Sequence, residues 1–200
     1  MTESETKSDC QQGVRFLRHQ LYWLYWTWNY YKGLFSSETN FELMIRTTGG
    51  LARAIRVSML DSIQLNICAL TDQASSGKGN TNLSLYSLLH WCSPTDETSD
   101  RRQLLKERLD EAKKESGRIR KRRNKLIAHY DSPAILQEDP ELIEWPTNDE
   151  IEGSVELLIE VMKLGEQLLG EYLSEFFEDD WFTGAQVLLD QLTVIDKRNH

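Results

Sequence analysis

Between Leu105 and Tyr130 one set of residues recurs at alternating steps of four and three: Leu105, Leu109, Ala112, Ser116, Ile119, Arg123, Leu126 and Tyr130. Only an α-helix gathers such a set on one side, because residues three and four apart lie over one another on successive turns. The stripe is small or apolar except at Arg123. A guanidinium on a packing seam is costly unless it is paired or opens into a polar cleft. The plain alternative is that the seam frays there and Arg123 reaches out to water. Thr98 or Ser99 is placed to cap this helix, and the pattern carries it to about residue 130.

Helical periodicity runs through the rest of the chain, and no alternating strand pattern interrupts it. A first helix over about 9–31 carries Phe16, Leu17, Leu21, Trp23, Leu24, Tyr25, Trp26 and Trp28, an aromatic set suited to a core or a subunit interface. A short helical turn is placed around Phe41 to Ile45. A second long helix over about 51–73 is apolar on a wide face through Leu51, Ile55, Met59, Ile63, Ile67 and Leu70, as suits a central bundle helix. Ser75 to Asn80 reads as a turn and lacks the Gly-Lys-Ser/Thr ending of a phosphate loop. Asn82 is placed to cap a short helix that stops at Trp91, before Pro94. Pro133, Pro140 and Pro146 break residues 132–146 into an acidic loop. Thr147 then caps a helix to about Phe177, and a turn from Trp181 to Gly184 precedes a last amphipathic helix. The fold class is therefore all-α: an up-and-down bundle of four principal helices with short accessories. Residues 1–200 read as one domain, with the bundle at about 9–177 and an accessory helix at about 184–198.

Charge is unevenly distributed. Arg101 to Lys125 holds 12 Lys/Arg and 4 Asp/Glu, a balance of +8, so the remainder carries −17 to reach the chain's −9. A basic stretch on an acidic protein is a footprint for a polyanion, or else a solvated helix face laced with ion pairs. Three widely spaced cysteines, Cys10, Cys68 and Cys92, imply free thiols in a reducing compartment. The acidic, polar start is no secretory signal, and Leu21 to Tyr31 is too short to cross a bilayer, so a cytosolic protein is expected.

Only four histidines are present. His200 is terminal, His19 lies within the aromatic run, and His90 falls near the end of a short helix. No His/Cys/Asp/Glu grouping has metal-ligand spacing, and no Gly-x-Ser-x-Gly elbow occurs, so neither a metal nor a cofactor is expected. His129 stands apart because it follows the basic residues Arg120, Lys121, Arg122, Arg123 and Lys125 at a helix end. Imidazole exchanges protons near neutral pH, and a guanidinium clamps phosphate. Together they supply what RNA self-cleavage needs: a base for the 2′-hydroxyl, a cation for the phosphorane and an acid for the leaving 5′-oxygen. DNA lacks the nucleophile. Six residues turn an ideal helix by roughly 600°, which leaves Arg123 and His129 about 120° apart. Either the helix unwinds near Ala128, or two antiparallel copies combine their residues across a dimer axis.

Arg123-Asn124, four further residues and then His129 resemble the signature of the HEPN superfamily. The run Arg122 to Asp131 is similar to the branch found in abortive-infection systems of the U type. So are Leu60-Asp61-Ser62-Ile63 through Ala69-Leu70-Thr71-Asp72, followed by Asn82 to Leu85 and Leu88-Leu89. The resemblance covers about residues 15–175. It implies a dimeric bundle with a metal-independent endoribonuclease site at the interface, acting as a toxin or antiphage effector. Arg123 and His129 would be catalytic, with Asn124 orienting them. Arg120, Lys121, Arg122 and Lys125 would meet the RNA. Where some toxins of the group carry a tyrosine two residues after the histidine, this chain has Asp131, with Tyr130 directly after His129. Asp131 would orient the imidazole or simply form the turn before Pro133. Partners implied are RNA, a second copy of the chain, and a cognate antitoxin or regulator. Two other readings stand beside this one: a catalytically silent module of the same fold that binds RNA or protein, and an unrelated helical adaptor.

Overall fold

The stripes of apolar residues are long enough that each helix buries one face and leaves the other wet. A computed structural model describes residues 3–74, 82–92, 98–127, 145–170 and 182–199, and no strand occurs among them. The all-helical bundle read from periodicity is what the chain forms.

Helix α1 spans Glu3–Phe35, longer at both ends than the aromatic run alone suggested. Its core stripe is Val14, Leu17, Leu21, Leu24, Trp28 and Tyr31. Phe16 and Trp23 are about half exposed, so the aromatics divide between core and surface. His19, read as lying among core aromatics, is exposed. Helix α2, Glu38–Thr48, replaces the single turn expected there. The Ser37 hydroxyl accepts the Asn40 amide at 3.5 Å and starts it. Gly49, at φ 58°, ends α2 and begins α3 without a break, a conformation that favours glycine. Helix α3, Gly50–Leu70, buries Leu60, Ile63, Gln64, Ile67 and Cys68. It stops before Gln73, where the Thr71 hydroxyl donates to the Ile67 carbonyl at 2.8 Å.

The next three elements depart most from expectation. Asn82 does not cap helix α4, Ser87–Trp91. Its side chain donates to the Gln73 carbonyl and its amide to the Ala74 carbonyl, which closes the loop instead. The helix predicted from residue 98 or 99 to 130 is divided. Helix α5 runs Ser99–Glu115 and helix α6 Gly117–Arg122, and the chain then widens into a π turn at Arg123–Ile127. Ser116 is the cause of the first break. Its hydroxyl donates to Ala112 O at 2.8 Å, a back-bond that bends helices, and Gly117 follows with the weakest hold on helical geometry.

Helix α7, Asn148–Leu169, begins on a full capping box. Thr147 Oγ1 accepts the Glu150 amide, and the Glu150 carboxylate accepts the Thr147 amide at 2.7 Å. It ends at Leu169 because Gly170 turns left-handed, at φ 68°, and not at Phe177. Residues 171–177 lie outside the described residues. Helix α8, Phe182–Asn199, takes in Gly184, where the sequence pattern predicts a turn.

Helix α1 packs on α3 and α7, α5 packs on α7, and α8 crosses α1 and α2. Ala185, Leu189 and Leu192 of α8 join the same apolar cluster as the other helices. Polar ties pin the arrangement. The Arg18 guanidinium donates to the buried Glu166 carboxylate at 2.8 Å, and Lys32 meets Glu152 at 2.8 Å beside the Trp28 indole. A β-carbon on Gly33 would lie 2.7 Å from that of Ala185, so the Ala185 methyl of α8 packs directly on the bare backbone of α1 there.

Three outcomes follow from this packing and capping. Gly33→Ala should destabilise the fold by about 1–3 kcal/mol through overpacking, read by urea unfolding. Thr147→Ala should cost about 1 kcal/mol through the lost cap. Burial pushes the Glu150 carboxyl up, but the Thr147 amide and the Arg118 guanidinium outweigh it and hold the group below its ordinary value. Its pKa is thus lower folded than unfolded. Its contribution is complete above the ordinary carboxylate range and fades as pH falls through the lowered value. The stability gap between wild type and Glu150→Gln should close correspondingly below about pH 4.

Candidate active site

The arginines of the basic stretch meet the only acid of α3 and the one just beyond its end. Asp61 is the sole carboxylate within Gly50–Leu70, and Asp72 follows two residues after the helix. Because α6 crosses α3, both acids face arginines. Arg120 pairs with Asp72 and donates to the Thr71 hydroxyl and, at 3.3 Å, to the Cys68 carbonyl. Arg123, the first residue of the π turn, donates through Nη2 to both oxygens of the same carboxylate, at 3.3 and 3.5 Å. Two guanidinium groups therefore share one carboxylate, so this point keeps an excess of positive charge. The Arg120 and Arg123 Nε groups have no acceptor among the described residues.

Arg123 is the anomaly of the apolar seam, and its environment answers the question that the seam posed. Its side chain is 21% exposed and paired. It neither snorkels freely to water nor lies buried without a partner. The seam on either side is as read: Leu105, Leu109, Ala112, Ser116 and Ile119 are all buried. The departure from α geometry begins at Arg123 itself, five residues before Ala128, near which one of the two alternatives read from the sequence places an unwinding. Single π turns of this kind occur often at functional sites, since they re-aim side chains that a regular helix would leave in register.

Arg122 points the other way. It is 8% exposed and donates to Asp61 at 3.5 Å and to Gln64 at 3.4 Å. Its guanidinium also lies 3.6 Å from the ring centroid of Trp145. Burial pulls the pKa of Arg122 down, and Asp61 offsets part of that. This placement gives Arg122 a packing role, whereas the sequence had grouped it with the substrate-facing cations. Lys121 and Asn124 are exposed and Lys125 is partly so. His129, Tyr130 and Asp131 lie outside the described residues.

Other members of the basic stretch are also engaged. Arg118 reaches Glu150 at 3.1 Å, Arg108 reaches Glu111 at 2.6 Å and Glu160 at 3.3 Å, and Arg102 donates to the Leu89 carbonyl of α4 and to that of Cys92 just past it. The stretch is therefore less a bare cationic stripe than a ladder of pairs to α3 and α7, with its surplus at the Asp72 end. The Cys68 thiol lies within that cluster. Burial pushes its pKa up, and Arg123 and Arg120 work in the opposite direction. Among the described residues no three His, Cys, Asp or Glu side chains gather as a metal would need. Nor is any described helix long and apolar enough to cross a membrane.

Sequence reasoning quoted Asp61 and Asp72 for their resemblance but assigned neither to the site, and it passed over Gln64 and Trp145. The signal was present: a helix with one acid, followed closely by a second, is the natural complement of a run of arginines. What was missing was the crossing of α3 and α6, which periodicity does not fix.

The family model for AbiU2, HEPN_AbiU2, matches residues 9–181, and the chain belongs to that family. Family membership supports a nuclease-type role in defence. No curated protein and no solved structure matches the chain.

The two neighbouring arginines should separate in mutagenesis. Arg122→Ala leaves Asp61 and Gln64 without their cation and should destabilise the protein by about 2–3 kcal/mol, below the full cost of breaking a buried pair because Asp61 is partly exposed. Arg123→Ala leaves Asp72 with Arg120 and should cost less than about 1 kcal/mol in denaturant unfolding.

Proposed function

We propose that the protein is a metal-independent endoribonuclease of the HEPN type, acting as a toxin or antiphage effector. The observation that carries this reading is Arg123, held at the opening of a π turn by a carboxylate that it shares with Arg120. A catalytic guanidinium must be fixed in place without being neutralised. One carboxylate between two arginines meets both needs, because it orients them and leaves net positive charge for the phosphorane.

In the proposed reaction a histidine, His129 of one protomer, takes the proton from a ribose 2′-hydroxyl, and the oxygen attacks the adjacent phosphorus. Arg123 stabilises the charge that develops on the non-bridging oxygens. The bond to the 5′-oxygen breaks, and that oxygen receives a proton from the His129 of the second protomer. The products are a 2′,3′-cyclic phosphate and a 5′-hydroxyl, with atoms and charge balanced and no water consumed in the step. Asn124 orients the pair, assisted by Asp131 or Tyr130. Arg120, Lys121 and Lys125 attract the strand, and Arg122 supports them from the α3 side. A dimer brings the two histidines together, and a cognate antitoxin or regulator would act on that interface.

The test is incubation of the purified protein with total RNA in excess EDTA, followed by end analysis. Wild type should yield cyclic-phosphate ends. His129→Ala and Arg123→Ala should each lower cleavage at least about 100-fold while staying folded. Single-stranded DNA of the same sequence should stay intact. RNA binding with no cleavage by wild type would assign the silent binding module instead.

A further inference from the structure

A second feature of α3 is not used by the proposed reaction. Toward its N-terminal half, α3 forms one wall of a cleft of about 370 Å³ whose other walls are Tyr31 of α1, Phe41 of α2 and the Trp145–Asn148 segment that leads into α7. A cleft of that size falls within the range of small-ligand sites. Its composition is unusual for an acidic protein. Three aromatic rings, Tyr31, Phe41 and Trp145, and two arginines, Arg53 and Arg56, line it, and no lining residue among those described is acidic.

The two arginines are held differently. The Arg56 guanidinium lies 4.7 Å from the Phe41 centroid and donates to the Tyr31 hydroxyl at 3.4 Å, so it belongs to the wall. Arg53, one turn earlier on the same helix, is exposed and has no acceptor among the described residues. Trp145 is 37% exposed at the opposite wall, with Arg122 stacked on its ring. The nearby start of α7 offers no anion site of its own, since the Thr147–Glu150 box already occupies it. A flat, apolar group on an aromatic wall with an anion on an adjacent cation is the chemistry of a nucleoside phosphate.

We infer that this cleft binds one nucleotide of a single-stranded RNA, its base stacked against Trp145 and its phosphate on Arg53. The inference rests on the ribonuclease reading for the identity of the polymer. It extends that reading by placing a recognition point away from the chemistry. Arg53 and Asp72 are 19 residues apart in sequence, so at 1.5 Å per residue they lie roughly 28 Å apart along the α3 direction. A bound strand runs along α3 from the stacking cleft to the Arg120–Arg123 pair. Arg122, seated on Trp145 beside Arg123 in sequence, links the two.

Fluorescence anisotropy with a labelled single-stranded RNA of mixed sequence, on the full-length protein carrying His129→Ala, tests this. Trp145→Ala should weaken binding about 10-fold and Trp145→Phe should restore most of it, because any aromatic face stacks a base. Arg53→Glu touches no core residue. It should weaken binding about 10-fold at moderate salt and reduce the salt dependence by about one phosphate contact. Free AMP and UMP, titrated separately, report the alternative source of the same chemistry. Mononucleotide binding that is lost in Arg53→Glu, with RNA affinity unchanged, would overturn the RNA assignment. So would RNA affinity unchanged in both Arg53→Glu and Trp145→Ala with unaltered melting. The two readings fail separately. Cleavage by wild type with cleft variants that bind normally removes only the cleft, and RNA binding through the cleft without cleavage by wild type removes only the catalytic proposal.

Discussion

The shared carboxylate of Asp72 is the constraint on which the rest of the site depends. It lies just past the end of α3, where the Thr71 back-bond has already closed the helix, and it faces two arginines from a different element. Without it Arg120 and Arg123 would repel one another across a partly buried space, and the end of α6 would lose its one carboxylate partner beyond α3. With it, repulsion becomes registry. The carboxylate sets where α6 ends and holds the first residue of the π turn against the bundle. Asp61 does the same for the more deeply buried Arg122, so successive residues of one short segment are fixed at two points, one on α3 and one just past its end.

The break at Ser116 acts in the same direction. A straight helix from 99 to 130 would have carried its arginines along a line set by α5 and α7. Bent at Ser116, the chain points α6 at α3 instead. The bundle supplies the rigid part through α1, α3, α5 and α7, with the buried pair of Arg18 and Glu166 as an internal pin. The site sits where that rigid part meets the one segment of irregular helix among the described residues. Functional groups on such a boundary are positioned by packed neighbours on one side and accessible on the other.

Much of this was legible in the sequence. The core stripes of α1, α3, α5 and α7 follow from spacing alone, and the Thr147 cap was readable because a capping box is a local pattern. The anomaly of Arg123 was legible too, since an ion in an apolar seam demands an explanation within its own helix. Its partner was not legible, because a contact across 51 residues depends on how helices cross. Local competition also hid from periodicity. Ser116 and Thr71 each look compatible with a helix, and only their hydroxyl bonds to the preceding turn show why the helices end there. Asn82 fails as a cap for a related reason, as its amide is taken by the far side of a loop.

The close approach of the Ala185 methyl to Gly33 has a consequence for the order in which the molecule can be completed. During synthesis α1 emerges long before α8, and about 150 residues separate the two faces that must meet. Until α8 arrives, the part of α1 around Gly33 and Tyr30 lacks the cover of Gly184 and Ala185, and a contact of such high sequence separation closes late. The nascent chain can therefore assemble α1, α3 and the α6 crossing, with all three arginines in place, before α8 seals the opposite side. Completion of the charged centre thus does not depend on closure of the α8 side of the fold.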